Sequence, residues 1–193
     1  MQGEKSEKIR CSWVNLKNKN YIDYHDTEWG VELHDDQKLF ELLCLEGAQA
    51  GLSWETILNK RDEYRKCFWN FDIEKIIKKS DEELIERIQK FGVIKNRLKT
   101  LGIKKNALAY KKIIEEHNSL DNFLWSYVNN RQIVNMWDKY KDTLASTPTS
   151  EKLSKDLKKY GFTFVGPIIC YAFMQASGMV SDHEKFCFKC VNY

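Results

Sequence analysis

The stretch KKYGFTFVGPIICYAF, Lys158–Phe173, decides the fold. It reads as a basic helix end, a short turn bounded by Gly161 and Gly166, and a new helix beginning at Pro167. A helix N-terminus that follows a tight glycine turn points backbone N–H groups outward and suits a phosphate. Taken alone, the same pattern also describes an ordinary helical hairpin.

Working outward, the apolar period is helical almost everywhere. In DQKLFELLCLEGAQAG (36–51), Leu39, Leu42, Leu43 and Gly47 fall at helical spacing, and Asp35 or Asp36 can cap the start. Ser53 can cap the next stretch, WETILNKRDEYRKCFW. Ser80 and Glu83 form a capping box ahead of LIERIQKF, which Gly92 ends. A long amphipathic stretch covers 94–116, SLDNFLWSYV makes a shorter helix, SEKLSKDLKKYG (150–161) is closed by Gly161, and an apolar helix spans 167–177. Residues 129–149 are the least regular and read as a long connection. The chain shows no internal repeat and no low-complexity segment. The expected fold class is all-α.

A length of 193 residues allows one domain, or two small lobes sharing a core. With 42% hydrophobic and 31% charged residues the composition is that of a globular chain. No apolar run approaches the roughly 20 residues of a membrane helix. The start, MQGEKSEKIR, has no apolar core of a secretory signal. A cytoplasmic location is therefore expected, where cysteines stay reduced and Cys/His clusters bind metal or do chemistry. A net charge of +3 permits a polyanionic partner without demanding one.

The chain has only 4 His and 6 Cys, yet SDHEKFCFKC (181–190) holds His183, Cys187 and Cys190. Zinc needs four N/S ligands. His183 can share a point with Cys187, and by spacing alone Cys190 serves the same purpose. The remaining ligands must come from far away, and Cys11 in RCSW and His25 in YHDTEWG are available. An incidental tail remains the alternative. Cys44, Cys67 and Cys170 lie in apolar helical runs and read as small buried hydrophobes. The segments NYIDYHDTEWG and LEGAQAGLSW bring Tyr21, Tyr24, Trp29, Trp54 and one acid, Glu46. They describe either an aromatic core with Glu46 at a helix edge, or a pocket of π faces and one carboxylate suited to a flat, cationic ligand.

RCSWV, YIDYHDTEWGV, LFELLCLEGAQAGLSWETIL, LSKDLKKYGFTFVGPIICYAFMQASG and the DH at 182–183 together resemble the bacterial DNA-3-methyladenine glycosylase I family. The resemblance runs from about Arg10 to Cys187. It implies a two-lobed helix-hairpin-helix DNA glycosylase fold, with a structural zinc tying the N-terminal segment to the C-terminus. The whole chain, 1–193, would be one glycosylase domain. Its irregular start would cover about 1–9, its helix-hairpin-helix about 150–178, and its zinc-binding tail about 181–190. The implied ligands are Cys11, His25, His183 and Cys187, leaving Cys190 aside. Glu46, Tyr24 and Trp54 would recognise methylated adenine, with Glu46 as the catalytic candidate, while Trp13, Tyr21 and Trp29 line the same cavity.

Gly51 and Leu52 would fill the space a flipped nucleotide leaves. The N–H groups of Phe164, Val165 and Gly166, with Lys158 and Lys159, would grip the phosphate backbone. The implied activity is hydrolysis of the N-glycosidic bond of 3-methyladenine in alkylated double-stranded DNA. Free base is released and an abasic site remains. Pro167, Ile168 and Ile169 follow the hairpin glycine, so no Schiff-base lysine stands there and a monofunctional enzyme is expected. Asp182 is expected to support the metal site, and a monomer with no membrane partner is expected. The rival readings are a non-catalytic, zinc-stabilised DNA-binding module and a helical scaffold.

Overall fold

A computed structural model describes residues 8–190; of the expected irregular start at about 1–9, residues 1–7 lie outside it. Ten α-helices occur among the described residues. They are α1 (Lys19–Thr27), α2 (Asp36–Gln49), α3 (Trp54–Leu58), α4 (Arg61–Cys67), α5 (Ile73–Ile77), α6 (Asp81–Lys90), α7 (Arg97–His117), α8 (Leu120–Trp125), α9 (Pro148–Tyr160) and α10 (Pro167–Ala176). Their starts follow the cap rules. The side chains of Asp35, Ser53 and Asn96 each accept from a backbone N–H of the first turn. Ser80 and Glu83 close the expected capping box. Thr147 caps α9 with Pro148 in its first turn, where a missing N–H costs nothing. Gly161, at φ +105°, ends α9 in the left-handed region that favours glycine.

Two expectations change. The stretch after Ser53 is not one helix: it breaks between α3 and α4, where Asn59 accepts from Asn18 and Lys60 donates to the Gly92 carbonyl at 2.7 Å. The long connection at 129–149 carries a strand, β1 (Ile133–Val134), parallel to β2 (Val180–Ser181). A bridge between Trp137 and Glu184 extends the pairing. Two-residue strands are too short to show a period, so the sequence pattern could not reveal them. The class stays all-α, with this small ladder fastening the C-terminal tail.

The buried residues form two clusters. The larger runs through α2–α10, around Phe40, Phe68, Phe71, Trp125 and Phe173. The smaller joins Cys11, Val14, Tyr24 and Trp29 to Leu58, Ala176 and Cys187. It ties the N-terminal segment to α3, the end of α10 and the tail. Between α9 and α10 lies the hairpin turn, seated on α2 and α7. Phe164, at φ +57°, turns its ring inward. A Cβ on Gly102 would lie 3.0 Å from that ring, and one on Gly47 would lie 3.0 Å from the Phe164 Cβ. Asn106 accepts from the Thr163 N–H at 2.8 Å, and Ser154 Oγ donates to the Val165 carbonyl at 2.6 Å.

That seat generates a test. Replacing a helical glycine by alanine normally stabilises by about 1 kcal/mol. At Gly47 the new methyl would also meet the Phe164 carbonyl at 3.1 Å, which is backbone and can yield only by moving the hairpin. Overpacking of about 1–3 kcal/mol should win. Gly47→Ala is expected to lower the melting temperature, measured by circular dichroism; an unchanged or raised value would show that the seat has slack.

Candidate active site and metal centre

The six pocket residues expected from sequence come together. Trp13, Tyr21, Tyr24, Trp29, Glu46 and Trp54 all line one cavity of about 210 Å³, joined by Gln49, Tyr140, Ala172 and Gln175. Trp13 stands in the N-terminal segment; Tyr21 and Tyr24 project from one face of α1, three residues apart, with rings stacked at 6.5 Å. Trp54 opens α3 and meets Tyr24 at 5.4 Å, while Trp13 and Trp29 make an edge contact at 4.9 Å.

Glu46 is not at a helix edge. It lies on α2 with 3% exposure, among aromatic rings. Burial pushes its carboxyl up to about 8, because the charged form loses its water. Among the described residues, three buried side-chain polar atoms lack a hydrogen-bond partner: Trp13 Nε1, Trp54 Nε1 and Glu46 Oε2. All three belong to residues of this cavity wall. Each such orphan costs about 1–3 kcal/mol, a cost that a ligand accepting from two indole N–H groups and pairing with a carboxyl would offset. A larger cavity of about 430 Å³ lies beyond Tyr24 and Trp54. Its arginines are already paired, Arg61 with Glu28 at 2.8 Å and Arg65 with Glu41 at 2.9 Å. Trp54 borders both cavities, but Trp13 and Glu46, which carry the other two partnerless atoms, line only the smaller one.

Cys11, His25, His183 and Cys187 are all buried, with their ligand atoms within 4.8 Å of one another. Cys11 Sγ and His183 Nδ1 are 3.4 Å apart, Cys187 Sγ and His25 Nε2 3.4 Å, and Cys187 Sγ and His183 Nδ1 3.7 Å. A tetrahedron with Zn–S near 2.3 Å and Zn–N near 2.0 Å has S–N edges of about 3.5 Å, so the quartet fits a metal of that kind. The atoms behind the ligands agree. His25 Nδ1 donates to Asp26, which Arg10 holds with two bonds of 2.8 Å, and His183 Nε2 donates to the Trp29 carbonyl at 3.2 Å. The sulfurs accept from the Glu184 and Lys189 N–H groups at 3.4 Å. A hydrogen bond from Cys11 pulls the Cys187 thiol well below its usual range and raises Cys11 in return. Cys190 stands outside the quartet, against Met136.

Asp182 corrects the expectation. Among the described residues its carboxylate forms no hydrogen bond to the four ligands; it accepts from Asn135, Trp137, Tyr171 and Gln175 at 2.7–2.9 Å. Fully buried, it ties α10 to the 135–137 segment and holds the amide of Gln175, a cavity residue. Glu184, also buried, accepts from both the N–H and Oγ of Ser12 and from the Tyr140 N–H at 2.7 Å. Neither Gln175 nor Tyr140 was visible beforehand. Gln175 offered one signal, an amide inside an apolar helix; Tyr140, in the irregular connection, offered none.

The remaining expected residues lie along the turn after α2 and the hairpin. Gly51, at φ +78°, and Leu52, 40% exposed, form a projecting turn. Val165 is buried, and the half-buried Phe164 turns its ring toward Gly102 of α7. Among the described residues, the N–H groups of Phe164, Val165 and Gly166 donate to no backbone acceptor. Lys158 and Lys159 are exposed at the end of α9, Lys159 beside Asp156 at 2.7 Å.

A helical hairpin seated beside an aromatic cavity, with a Cys/His quartet clasping the chain ends, defines a helix-hairpin-helix DNA glycosylase. The chain belongs to the methyladenine glycosylase family, whose sequence profile matches residues 13–190. It is 46% identical over 178 residues to the DNA-3-methyladenine glycosylase 1 of Escherichia coli K12, covering 92% of this chain and 95% of that one. It is 47% identical to the DNA-3-methyladenine glycosylase of Haemophilus influenzae, covering 92% and 96%. A crystal structure of 3-methyladenine DNA glycosylase I superposes with a TM-score of 0.90 at 44% identity, covering 95% of this chain and 100% of that one. The Staphylococcus aureus enzyme, solved for its recognition of 3-methyladenine, gives 0.87 at 38% identity, covering 92% and 94%.

The Glu46 carboxyl carries a pH signature. Its folded pKa of about 8 lies above the ordinary 4.5, so the folded protein holds this proton more tightly than the unfolded chain. Stability from this group is full below about pH 4.5 and is lost as pH rises through about 8. Glu46→Gln should flatten that part of the stability–pH curve and should melt higher than the parent at pH 8.5, by an amount set by roughly 1.4 kcal/mol per pKa unit. Chemical denaturation from pH 5 to 9 checks it; parallel curves would show that Glu46 is not desolvated.

Proposed function

We propose that this chain is a monofunctional DNA repair glycosylase that removes 3-methyladenine from alkylated DNA and leaves an abasic site. The observation that carries the reading is the cavity with its three orphan polar atoms. An adenine offers an exocyclic amino donor and ring-nitrogen acceptors, which match a carboxyl and two indole N–H groups. Methylation at N3 places a positive charge on the base in DNA. The faces of Tyr24 and Trp54, with Tyr21, Trp13 and Trp29 behind them, favour that cation by about 0.5–2 kcal/mol per contact. Glu46, neutral when desolvated, ionises as the cation arrives and recovers part of its burial cost. Neutral adenine gives no such return.

The glycosidic bond breaks with its electron pair passing to the base, which leaves neutral; water supplies hydroxyl to the sugar and gives up a proton. Glu46 is the one carboxyl lining the cavity and the group we assign to that proton. The base reaches the cavity by leaving the duplex, at a cost of a few kcal/mol. Leu52, on the Gly51 turn, fills the gap it leaves. The N–H groups of Phe164, Val165 and Gly166 hold a phosphate at the start of α10, and Lys158 and Lys159 add affinity that ignores sequence.

Incubation with methylated duplex DNA should release free 3-methyladenine without a borohydride-trapped protein–DNA adduct. Glu46→Gln should slow release by roughly ten- to a hundredfold, the worth of a hydrogen bond to a charged group. Trp54→Ala should slow it too while leaving binding to undamaged duplex unchanged, as phosphate contacts supply that affinity. No base release by the parent protein, or parent rates in Glu46→Gln, would overturn the reading.

We further assign Cys11, His25, His183 and Cys187 to one structural zinc. Four protein ligands leave no open position, so the ion serves folding, not hydrolysis. Elemental analysis should find one zinc per chain, Cys11→Ser should lose it, and chelation should lower the melting temperature. Full zinc content in Cys11→Ser would refute the assignment.

A further inference from the structure

Lys99 sits in the first turn of α7, and its ammonium is spent on another helix. Its Nζ donates to the Ala48 carbonyl at 2.8 Å and to the Ala50 carbonyl at 2.7 Å. These are carbonyls at the C-terminal end of α2, where helical partners run out and the dipole is negative. Ala50 is the C-cap, at φ −42° and ψ 115°, and the chain then reverses through Gly51 at φ +78°. Among the described residues no carboxylate pairs with Lys99. The turn has little else to hold it: Ala50 N–H reaches Gly47 at 3.4 Å, Leu52 N–H reaches Gln49 at 2.6 Å, and a Cβ at Gly51 would meet nothing within 4 Å. Lys99 itself is fixed from below, because Asn96 caps α7 by accepting from the Lys99 N–H at 3.0 Å, and Thr100 Oγ1 returns to the Asn96 carbonyl at 2.9 Å.

We infer that Lys99 is a positioning residue for base extrusion: it clamps the Ala48–Ala50 carbonyls so that Leu52 stands ready to enter the duplex. The inference rests on the proposed role of Leu52. A side chain that replaces a base in the stack must be held before contact, since ordering it afterwards adds to the cost of unstacking. The clamp also explains why a lysine so close to the proposed DNA face turns toward protein carbonyls. A phosphate contact would call for an outward ammonium.

Lys99→Met keeps the aliphatic stem and removes both hydrogen bonds; Lys99→Arg can donate to both carbonyls. The readouts are base release from duplex and from single-stranded methylated DNA, 2-aminopurine fluorescence beside the lesion, and the salt dependence of binding to undamaged duplex. Lys99→Met should slow duplex release about tenfold or more, with a matching loss of the fluorescence rise. Release from single strands and the salt slope should not change, and Lys99→Arg should recover most of the duplex rate. A salt slope reduced by about one would instead make Lys99 a phosphate ligand and overturn the inference. Parent duplex rates in Lys99→Met, or equal losses on both substrates, would overturn it as well. Leu52→Ala separates the two layers: a silent Leu52→Ala removes the wedge reading and the inference with it, whereas a duplex-specific loss there beside a silent Lys99→Met removes the clamp alone. If Lys99→Met does not fold, Lys99→Gln, which keeps one amide donor, is read by the same criteria.

Discussion

The join between the N-terminal segment and the C-terminal tail is the constraint on which the cavity depends. Cys11 and His183 are 172 residues apart in sequence and 3.4 Å apart in space. Between Cys11 and Trp29 the chain supplies four of the cavity's aromatic rings, yet that stretch forms only one helix, α1, and belongs to the smaller of the two apolar clusters. A cluster of that size cannot order a cavity wall against the conformational entropy of the segment. The quartet adds what burial lacks, and it is woven into the wall. The His25 ring packs on Trp13 at 5.3 Å, the His183 ring on Trp29 at 4.7 Å, and His183 donates to the Trp29 carbonyl. Glu184 repeats the join without sulfur, gripping Ser12 on one side and Tyr140 on the other.

The end of α2 is the second meeting point, and it gathers every element of the proposed reaction within nine residues. Glu46 faces the cavity, Gly47 receives the hairpin residue Phe164, Ala48 and Ala50 present carbonyls to Lys99, Gly51 reverses the chain, and Trp54 begins the next cavity wall. The hairpin turn proposed to hold a phosphate and the cavity proposed to take the base therefore both rest on α2. Their spacing does not depend on a flexible loop, which suits a reaction in which a fixed length of nucleotide must reach from one to the other.

Much of this was legible in the sequence, for identifiable reasons. Helix starts at Asp35, Ser53 and Ser80 and the helix end at Gly161 were readable because these residues act locally, through bonds to residues one turn away. The metal quartet was half legible: spacing left Cys187 and Cys190 equal, and only the resemblance to a family chose between them. Asp182 was misread because its neighbour in sequence, His183, is a ligand, whereas its four donors come from α10 and the connection before α9. Such a network has no period and no motif. The inward turn of Phe164 was hidden for a similar reason, since the glycines that admit it lie on two other helices.

The cavity is also where the chain tolerates energetic loss. Three orphan polar atoms, one of them on a carboxyl pushed up to about 8, stand among described residues whose other buried side-chain polar atoms are satisfied. Against a typical net stability of about 5–15 kcal/mol this is a substantial concession. It is stable only because the surroundings are over-determined, by the quartet on one side and the Gly47 seat on the other. Under the proposed function the same unsatisfied groups would give selectivity: a ligand that supplies a donor, acceptors and positive charge would recover the loss, and one that lacks the charge only part. On that proposal, discrimination between damaged and normal adenine rests on charge and hydrogen bonding, since adenine, smaller by one methyl group, cannot be excluded by size.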